Sequence, residues 1–207
     1  MNKKIVIIGS GSFAKYLKNS LNLFNQNIKF YGYLSKEKNK SYFKDKDIPK
    51  LKKIKNLYFV NGIGNFSHDW YPKLFKELLL KKIKFINLIH KTANVSEKKV
   101  RLGKGVVITE NVLIKSDVKV GKFCLINSNS IISHDTTIGS FCNISLGVKI
   151  AGNCAIGTNC LIGMGSIILN NLKIGNNVII GAGAVVTKNL PNNTKLIGKN
   201  LKKRKKI

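Results

Sequence analysis

An aliphatic side chain recurs at every sixth position from Leu102 to Val186, without exception over fifteen consecutive positions. A period of six matches neither an α-helix, which repeats every 3.6 residues, nor a β-strand, whose side chains alternate. A fixed short repeat indicates stacked units, each of which buries its inward side chains only against its neighbours. The hexapeptide repeat is typical of a parallel β-helix, in which three short strands make one triangular coil. The fifteen hexads therefore predict five coils.

A second stripe of small or β-branched side chains, four residues after each aliphatic position, supports the same register. It contains all four cysteines of the chain: Cys124, Cys142, Cys154 and Cys160. Free cysteine packs as a small buried hydrophobe, and no CxxC spacing is present. We therefore expect packing residues rather than disulfides or metal ligands. Glycine follows the aliphatic position in many hexads, which we interpret as the demand of a tight corner.

The chain is strongly basic, with 37 lysine and arginine residues against 9 acidic residues and a formal net charge of +28. Such a charge can attract nucleic acid or anionic membranes. The lysines are scattered through both halves, except for a run at residues 202–206, and the repeat contains no recognisable nucleic-acid module. We therefore expect no nucleic-acid partner. The same positive electrostatic potential would attract a small anionic substrate.

The apolar runs of the chain are short. None approaches the roughly 20 residues of a membrane span, and the N-terminus lacks the features of a signal peptide. The cysteines have no disulfide pattern, as is usual in a reducing compartment. The expectation is a cytoplasmic protein with no membrane span.

Strands and helices alternate in the first hundred residues. The pattern predicts strands at 5–8, 28–34, 57–63 and 85–89, an amphipathic helix after residue 12, and a lysine-rich polar excursion over 35–56. It also predicts a helix over 69–80 that buries Trp70, Leu74, Phe75 and Leu78. This order indicates a parallel sheet with its ligand site at the carboxyl ends of the strands. We place the domain boundary between residues 92 and 93.

The first strand leads into the turn Gly9-Ser10-Gly11-Ser12-Phe13-Ala14, which matches the dinucleotide-binding pattern G-x-G-x-x-A. The acidic residue expected after the second strand is missing, since Ser35 and Lys36 stand there, so NAD is disfavoured. A glycine turn at a helix N-terminus can hold any phosphate through free N–H groups, including the diphosphate of a nucleotide sugar. The alternative is a glycine turn without a ligand.

His134 and Asp135 stand out within the repeat because His134 lies two residues after an inward aliphatic residue and points outward. An imidazole beside a carboxylate is suited to act as a general base, with the carboxylate fixing its tautomer. The alternative is a solvent-exposed pair on a turn. The other two histidines, His68 and His90, lie far away in the sequence, and we place His90 at the domain junction. We therefore expect no metal site.

These residues together resemble the hexapeptide-repeat sugar O- and N-acyltransferases of the sialic acid and bacillosamine type. The likeness to UDP-4-amino-sugar N-acetyltransferases covers nearly the whole chain, through the segments 7–11, 62–65, 89–93, 133–135 and 151–153. The resemblance implies an α/β Rossmann-like domain (1–92) followed by a left-handed parallel β-helix (93–207) with a basic tail. It also implies a homotrimer, with active sites between subunits.

The resemblance further implies roles for individual residues. His134 is the expected general base and Asp135 supports it, while the Gly152 N–H faces the thioester carbonyl of acetyl-CoA. Asn143 stands where the family usually has a second histidine at the acetyl group. The pantetheine would be lined by Met164, Ala182 and Gly183, and the nucleotide-linked amino sugar would be held around Ser10, Gly11, Ser12, Leu34, Ser35 and Gly64.

The family usually carries a histidine at the position of Phe13 and acids at the positions of Ser35 and Lys36. Because these differences lie on the nucleotide-sugar side, the acceptor is the most open part of the interpretation. The main expectation is an acetyl-CoA-dependent N-acetyltransferase of bacterial surface-glycan synthesis that acts on a UDP-linked amino sugar. One alternative is a sugar or sialic acid O-acetyltransferase, and another is a non-catalytic trimeric scaffold.

Overall fold

The computed structural model describes residues 3–24, 27–35, 42–64 and 70–197 of the chain. Lys36, Asn65, His68 and the basic run at 202–206, which were singled out in the sequence, lie outside the described residues. Within the described ranges, no helix combines the length and the apolar character needed to cross a membrane.

The N-terminal part is a four-stranded parallel sheet with the strand order β3-β2-β1-β4. Its central strand β1 is fully buried from Ile5 to Ile7, which explains why it reads as an unbroken apolar run. The strands are Lys3–Ile8 (β1), Ile28–Leu34 (β2), Tyr42–Phe43 (β3) and Leu57–Asn61 (β4). The helices are Ser12–Asn19 (α1), Ile48–Lys52 (α2) and Trp70–Leu80 (α3), with short 3₁₀ turns at Leu21–Leu23 and Asp45–Asp47.

Three sequence-based expectations for this region were wrong. The predicted fourth strand at 85–89 does not join the sheet, because Phe85 makes only one bridge to Phe59 and the next residues pair with the repeat. The sheet takes its remaining strand from β3, within the segment 35–56 that was expected to be a polar excursion and that also contains α2. With only two residues, β3 is too short to show a strand pattern in the sequence. Trp70 is also 44% exposed, and the buried position at the start of α3 belongs to Tyr71.

The repeat forms a parallel β-helix with three faces, and each strand pairs in register with the strand one coil away. The first face contains seven strands: Leu88–Ile89 (β5), Val107–Ile108 (β8), Leu125–Ile126 (β11), Asn143–Ile144 (β14), Leu161–Ile162 (β17), Ile179–Ile180 (β20) and Lys195–Leu196 (β22).

The second face contains six strands and the third face five. The second face consists of Asn94–Val95 (β6), Leu113–Ile114 (β9), Ile131–Ile132 (β12), Lys149–Ile150 (β15), Ile167–Ile168 (β18) and Val185–Val186 (β21). The third face consists of Arg101–Leu102 (β7), Lys119–Val120 (β10), Thr137–Ile138 (β13), Ala155–Ile156 (β16) and Lys173–Ile174 (β19). The first corner lies between the first and second faces, the second corner between the second and third, and the third corner between the third and first.

The hexad corresponds to one strand and one corner, and the second residue of nearly every strand points inward and is buried. The four cysteines are free and buried in the same core, as the sequence predicts. The thiol of Cys124, for example, donates to the Gly139 carbonyl oxygen at 3.0 Å. Burial raises the pKa of the Cys142 thiol well above its usual value, so it stays protonated.

The glycines that follow the inward aliphatic residues have a different role from the expected one. Their φ angles are not in the left-handed region, which is instead reached three residues after the aliphatic position, most often by asparagine. These glycines are required because neighbouring coils approach closely. A Cβ atom at Gly157 would lie 2.5 Å from the carbonyl oxygen of Gly175, one coil away.

The three faces differ in what covers them. The N-terminal α/β part covers strands β5, β8 and β11 of the first face, where the outward residues Leu88, Val107 and Leu125 are buried. The third face presents mainly polar or charged residues, including Arg101 and Lys119. The second face presents a mainly apolar row that no other part of the described chain covers fully, made of Leu113, Ile131, Ile167 and Val185 and interrupted by the exposed Lys149.

We predict that Gly157→Ala destabilises the protein by about 2 kcal/mol or more, because the new methyl group overlaps backbone that cannot move without separating the coils. Gly165→Asn is the matched control. Gly165 has a φ of +66° and no atom near its Cβ position, and asparagine occupies several equivalent corners. Thermal unfolding of both variants tests this account, and equal melting temperatures would contradict it.

Candidate active site

His134 and Asp135 form an exposed pair at the second corner, immediately after β12. The His134 Nδ1 atom lies 2.8 Å from Asp135 Oδ2, and the side chains are 58% and 60% exposed. The backbone of Asp135 is in the left-handed region, with a φ of 57°, and its N–H donates to the Ser116 carbonyl. In the tautomer whose Nδ1–H donates a hydrogen bond to the Asp135 carboxylate, Nε2 keeps its lone pair and can accept a proton from a substrate.

Gly152 lies directly against the imidazole of His134, one coil away. A Cβ atom at Gly152 would be 2.7 Å from Cε1 and 2.8 Å from Nε2 of His134. Only glycine therefore lets the ring lie this close to the backbone of the next coil. Within the described ranges, the Gly152 N–H has no hydrogen-bond acceptor, and it lies beside the proposed base.

A cavity of about 630 Å³ lies where the glycine turn and the loop after β4 meet the first face and the first corner. Part of its lining comes from Gly11, Ser12 and Gly64, and part from Asn127, Asn143 and Met164. A cleft of about 770 Å³ at the other end of α1, beside Lys18 and Lys91, contains none of the predicted residues. The smaller cavity is the better candidate because two predicted residue sets converge on it.

The six residues predicted to hold the nucleotide sugar divide into two groups. Gly11, Ser12 and Gly64 line the cavity. Ser10 and Ser35 lie behind the turn, with their hydroxyl oxygens 2.8 Å apart. Leu34 is buried in the N-terminal core, and its carbonyl accepts a hydrogen bond from the Gly9 N–H at 2.9 Å.

The residues predicted to hold the acetyl donor lie mostly along the first corner. Met164 is 55% exposed, and its carbonyl accepts a hydrogen bond from the Gly183 N–H at 2.7 Å. Ala182 occupies the same corner position as Met164 one coil later and is exposed. Asn143 differs from them, since it is only 5% exposed and contacts the N-terminal domain.

The structure therefore gathers the predicted residues at two places rather than one. His134, Asp135 and Gly152 lie at the second corner, whereas the cavity and Met164 lie at the first corner. The second face separates the two corners. Within one chain, the proposed base does not line the cavity.

Glu110 is a polar residue that sequence reasoning missed. Its carboxylate accepts hydrogen bonds from the hydroxyls of Tyr16 in α1 and Ser128 at the first corner. Burial would raise the pKa of Glu110, but these hydrogen bonds outweigh burial and lower the pKa below the usual 4.5. The 18-residue spacing to Ser128 could have indicated their contact. No pattern in the sequence around either residue indicates the contact with Tyr16, which lies 94 residues away.

His90 lies where the N-terminal α/β part meets the β-helix, bridged to Phe24. It is 4% exposed, its Nδ1 atom lies 2.9 Å from the Thr92 hydroxyl oxygen, and its ring meets the edge of Phe24. No group of three or more potential metal ligands occurs among the residues that the structure describes.

Comparisons with known proteins match the repeat and the overall fold of the chain. The bacterial transferase hexapeptide family (six repeats) matches residues 153–188. GDP-perosamine N-acetyltransferase from Caulobacter crescentus, solved with CoA and GDP-perosamine, is 27% identical, with 95% of this chain and 94% of that chain covered and a TM-score of 0.85. No curated protein matches the sequence.

Two further solved structures share the fold at lower identity. The acetyltransferase domain of PglB from Neisseria gonorrhoeae is 21% identical with a TM-score of 0.79, over 96% of this chain and 98% of that chain. WeeI from Acinetobacter baumannii is 22% identical with a TM-score of 0.67, over 97% and 98%. The repeat match and the 27% identical perosamine N-acetyltransferase support the family resemblance that the sequence indicated, and these two structures share its fold.

We predict that Glu110→Gln lowers the free energy of unfolding at neutral pH and that the difference from the native chain shrinks in acid. A carboxylate with a lowered folded pKa stabilises the protein above its ordinary pKa of about 4.5 and loses this contribution as the pH falls through the folded value. Urea unfolding between pH 7 and pH 3 measures the difference. A difference that grows on acidification would contradict the assignment.

Proposed function

We propose that the chain, which resembles the hexapeptide-repeat sugar acyltransferases, transfers the acetyl group of acetyl-CoA to the amine of a nucleotide-linked amino sugar. The observation that carries the proposal is the His134 imidazole, bonded to Asp135 and lying against Gly152, on a fold matched over 95% of its length by a sugar N-acetyltransferase. A scaffold would have no need for this arrangement.

His134 acts as the general base. The sugar amine attacks the thioester carbonyl of acetyl-CoA, a C–N bond forms, and the amine proton passes to Nε2 of His134. The C–S bond then breaks, and the proton moves on to the CoA thiolate. Asp135 holds the proton at Nδ1 and stabilises the imidazolium between these steps.

Gly152 and the first corner form the donor side. The N–H of Gly152 donates to the oxyanion of the tetrahedral intermediate, next to the imidazole that accepts the proton. The exposed side chain of Met164 and the neighbouring Ala182 and Gly183 contact the pantetheine arm, for which a row of small and flexible apolar groups is suited.

The cavity beside the glycine turn is the acceptor side. The N-terminus of α1 begins at Ser12 after the open Gly11, and its free N–H groups suit the diphosphate of a nucleotide. Gly64 completes the opposite wall, while Ser10, Leu34 and Ser35 support the turn from behind. UDP is the nucleotide that the family resemblance implies, whereas the perosamine relative was solved with a GDP-linked sugar.

Three copies of the chain complete the site. The apolar row on the second face needs a cover, and a second copy provides it in a closed ring. Because the second face separates the two corners, packing copies along it brings the second corner of one copy toward the first corner of the next. His134 of one subunit then faces the acceptor cavity of its neighbour.

CoA release from acetyl-CoA tests the proposal with a panel of acceptors. The panel contains UDP- and GDP-linked amino sugars, the corresponding hydroxyl sugars, and free and CMP-activated sialic acids. Release with an amino sugar only supports N-acetylation and identifies the nucleotide. Release with hydroxyl acceptors only would transfer the assignment to O-acetylation, and no acetyl-CoA binding at all would contradict the proposal.

We predict that His134→Ala lowers kcat by about 10²–10⁴-fold with an unchanged melting temperature, because the base is lost and the exposed side chain supports no core packing. Gly152→Ala should also lower kcat, since its methyl group displaces the imidazole. Asn170→Ala, at the equivalent corner position one coil beyond Gly152, is the matched control and should retain activity. Full activity of His134→Ala would exclude His134 as the base.

We predict that the double variant Ile131→Lys/Ile167→Lys is monomeric, because it adds a charge on each side of the native Lys149, and three adjacent like charges cannot be buried between copies without partners. Thr137→Lys, at an equivalent outward position on the third face, should remain trimeric. Light scattering after gel filtration measures the mass of each. A trimeric double variant would show that another face forms the interface.

A further inference from the structure

We propose that Asn143, Asn61 and Tyr71 are positioning residues that hold the loop 62–64 against the β-helix and so set the affinity for the nucleotide-linked acceptor. This inference rests on the proposed function and deepens it. It also moves Asn143 from the donor side, where the family resemblance placed it, to the acceptor side.

Asn143 fastens one end of the loop. Its side-chain amide Nδ2 donates to the Gly64 carbonyl oxygen at 3.3 Å, and its Oδ1 accepts from Asn127 Nδ2 at 3.1 Å. Asn143 is 5% exposed, so both ends of its amide are taken up by protein groups in a position nearly closed to solvent. A carboxamide held in this way fixes a neighbouring backbone better than it reaches an external acetyl group.

Asn61 and Tyr71 fasten the other end. The Ile63 N–H donates to Asn61 Oδ1 at 3.0 Å, and Asn61 Nδ2 donates to the Tyr71 hydroxyl at 2.8 Å. The Tyr71 hydroxyl then donates to the carbonyl oxygen of Phe123, at the third corner of the β-helix, at 2.9 Å. Both side chains are fully buried, where the loss of a hydrogen bond strongly destabilises the native arrangement.

These hydrogen bonds at the two ends of the loop affect acceptor binding because the loop forms a wall of the cavity. Gly62, Ile63 and Gly64 all line it. On its other side, the loop is pressed against the first strand and the glycine turn: a Cβ atom at Gly62 would lie 2.3 Å from Ile7, and one at Gly64 would lie 2.7 Å from Phe13. A shift of the loop therefore changes the cavity and the turn together.

The residues proposed to bind acetyl-CoA are held in place by other contacts. Gly152 and His134 lie at the second corner, whereas Met164 lines the same cavity as the loop but is hydrogen-bonded to Gly183 along the first corner. None of these four residues bonds to the loop among the contacts described. Loosening the loop should weaken acceptor binding and leave acetyl-CoA binding unchanged, a separation that general destabilisation would not produce.

The test compares Tyr71→Phe and Asn143→Leu with the native chain. Tyr71→Phe removes one hydroxyl and keeps the ring packed, and Asn143→Leu keeps the size of the side chain. Tyr58→Phe removes a hydroxyl outside this network and is the control. Calorimetric titration with UDP, GDP and acetyl-CoA gives each dissociation constant, and steady-state kinetics gives the KM of each substrate.

We expect the Kd of the bound nucleotide to rise about tenfold or more in both variants, since each variant loses two hydrogen bonds of the network, with the Kd of acetyl-CoA within about twofold. An unchanged nucleotide Kd in Tyr71→Phe would overturn the inference, whether or not Asn143→Leu folds. So would a larger effect on acetyl-CoA, which would return Asn143 to the donor side. If the native chain binds acetyl-CoA but neither nucleotide, the proposed acceptor and the inference both fail.

Discussion

The structure depends on the hydrogen-bonded stacking of successive coils. A coil made of three two-residue strands cannot stand alone, so each coil takes its backbone partners and its core contacts from the next one. This constraint leaves room only for glycine where coils touch, as at Gly157. It also places the inward aliphatic residues in columns. The residue number alone then fixes the face or the corner on which a side chain lies.

The stacking of the coils also positions the residues of the candidate site. His134 lies against Gly152 because the two residues occupy equivalent corner positions on adjacent coils, and the first-corner column runs from Glu110 and Ser128 to the exposed Met164. The β-helix thus carries the His134–Asp135 pair at one corner and the cavity at another. The excess of positive charge over the chain favours the approach of anionic substrates such as nucleotide sugars and CoA esters, whatever its other effects.

The sequence predicted the β-helix, its register and the buried cysteines, because a strict period of six leaves one solution. It also predicted most of the N-terminal strands from their apolar runs. It failed at β3 and at the segment 85–89, where two-residue pairings are decided by distant partners. The contacts of Glu110 with Tyr16, and of Asn143 with Gly64, could not be predicted from the sequence because they join the N-terminal α/β part to the β-helix. The domain boundary, the left-handed winding and the trimer remain predictions.

The most direct test of the central claim, a site completed between copies, is subunit complementation. His134→Ala retains the cavity, whereas Gly64→Leu retains the base and blocks the cavity, since even a Cβ atom there overlaps Phe13. Acetyl transfer is measured for each variant alone and for trimers reassembled from an equal mixture. We predict two inactive variants and a mixture that recovers about a quarter of native activity, because each mixed trimer contains one site with both halves intact. Mixed trimers that form without any activity would contradict the account.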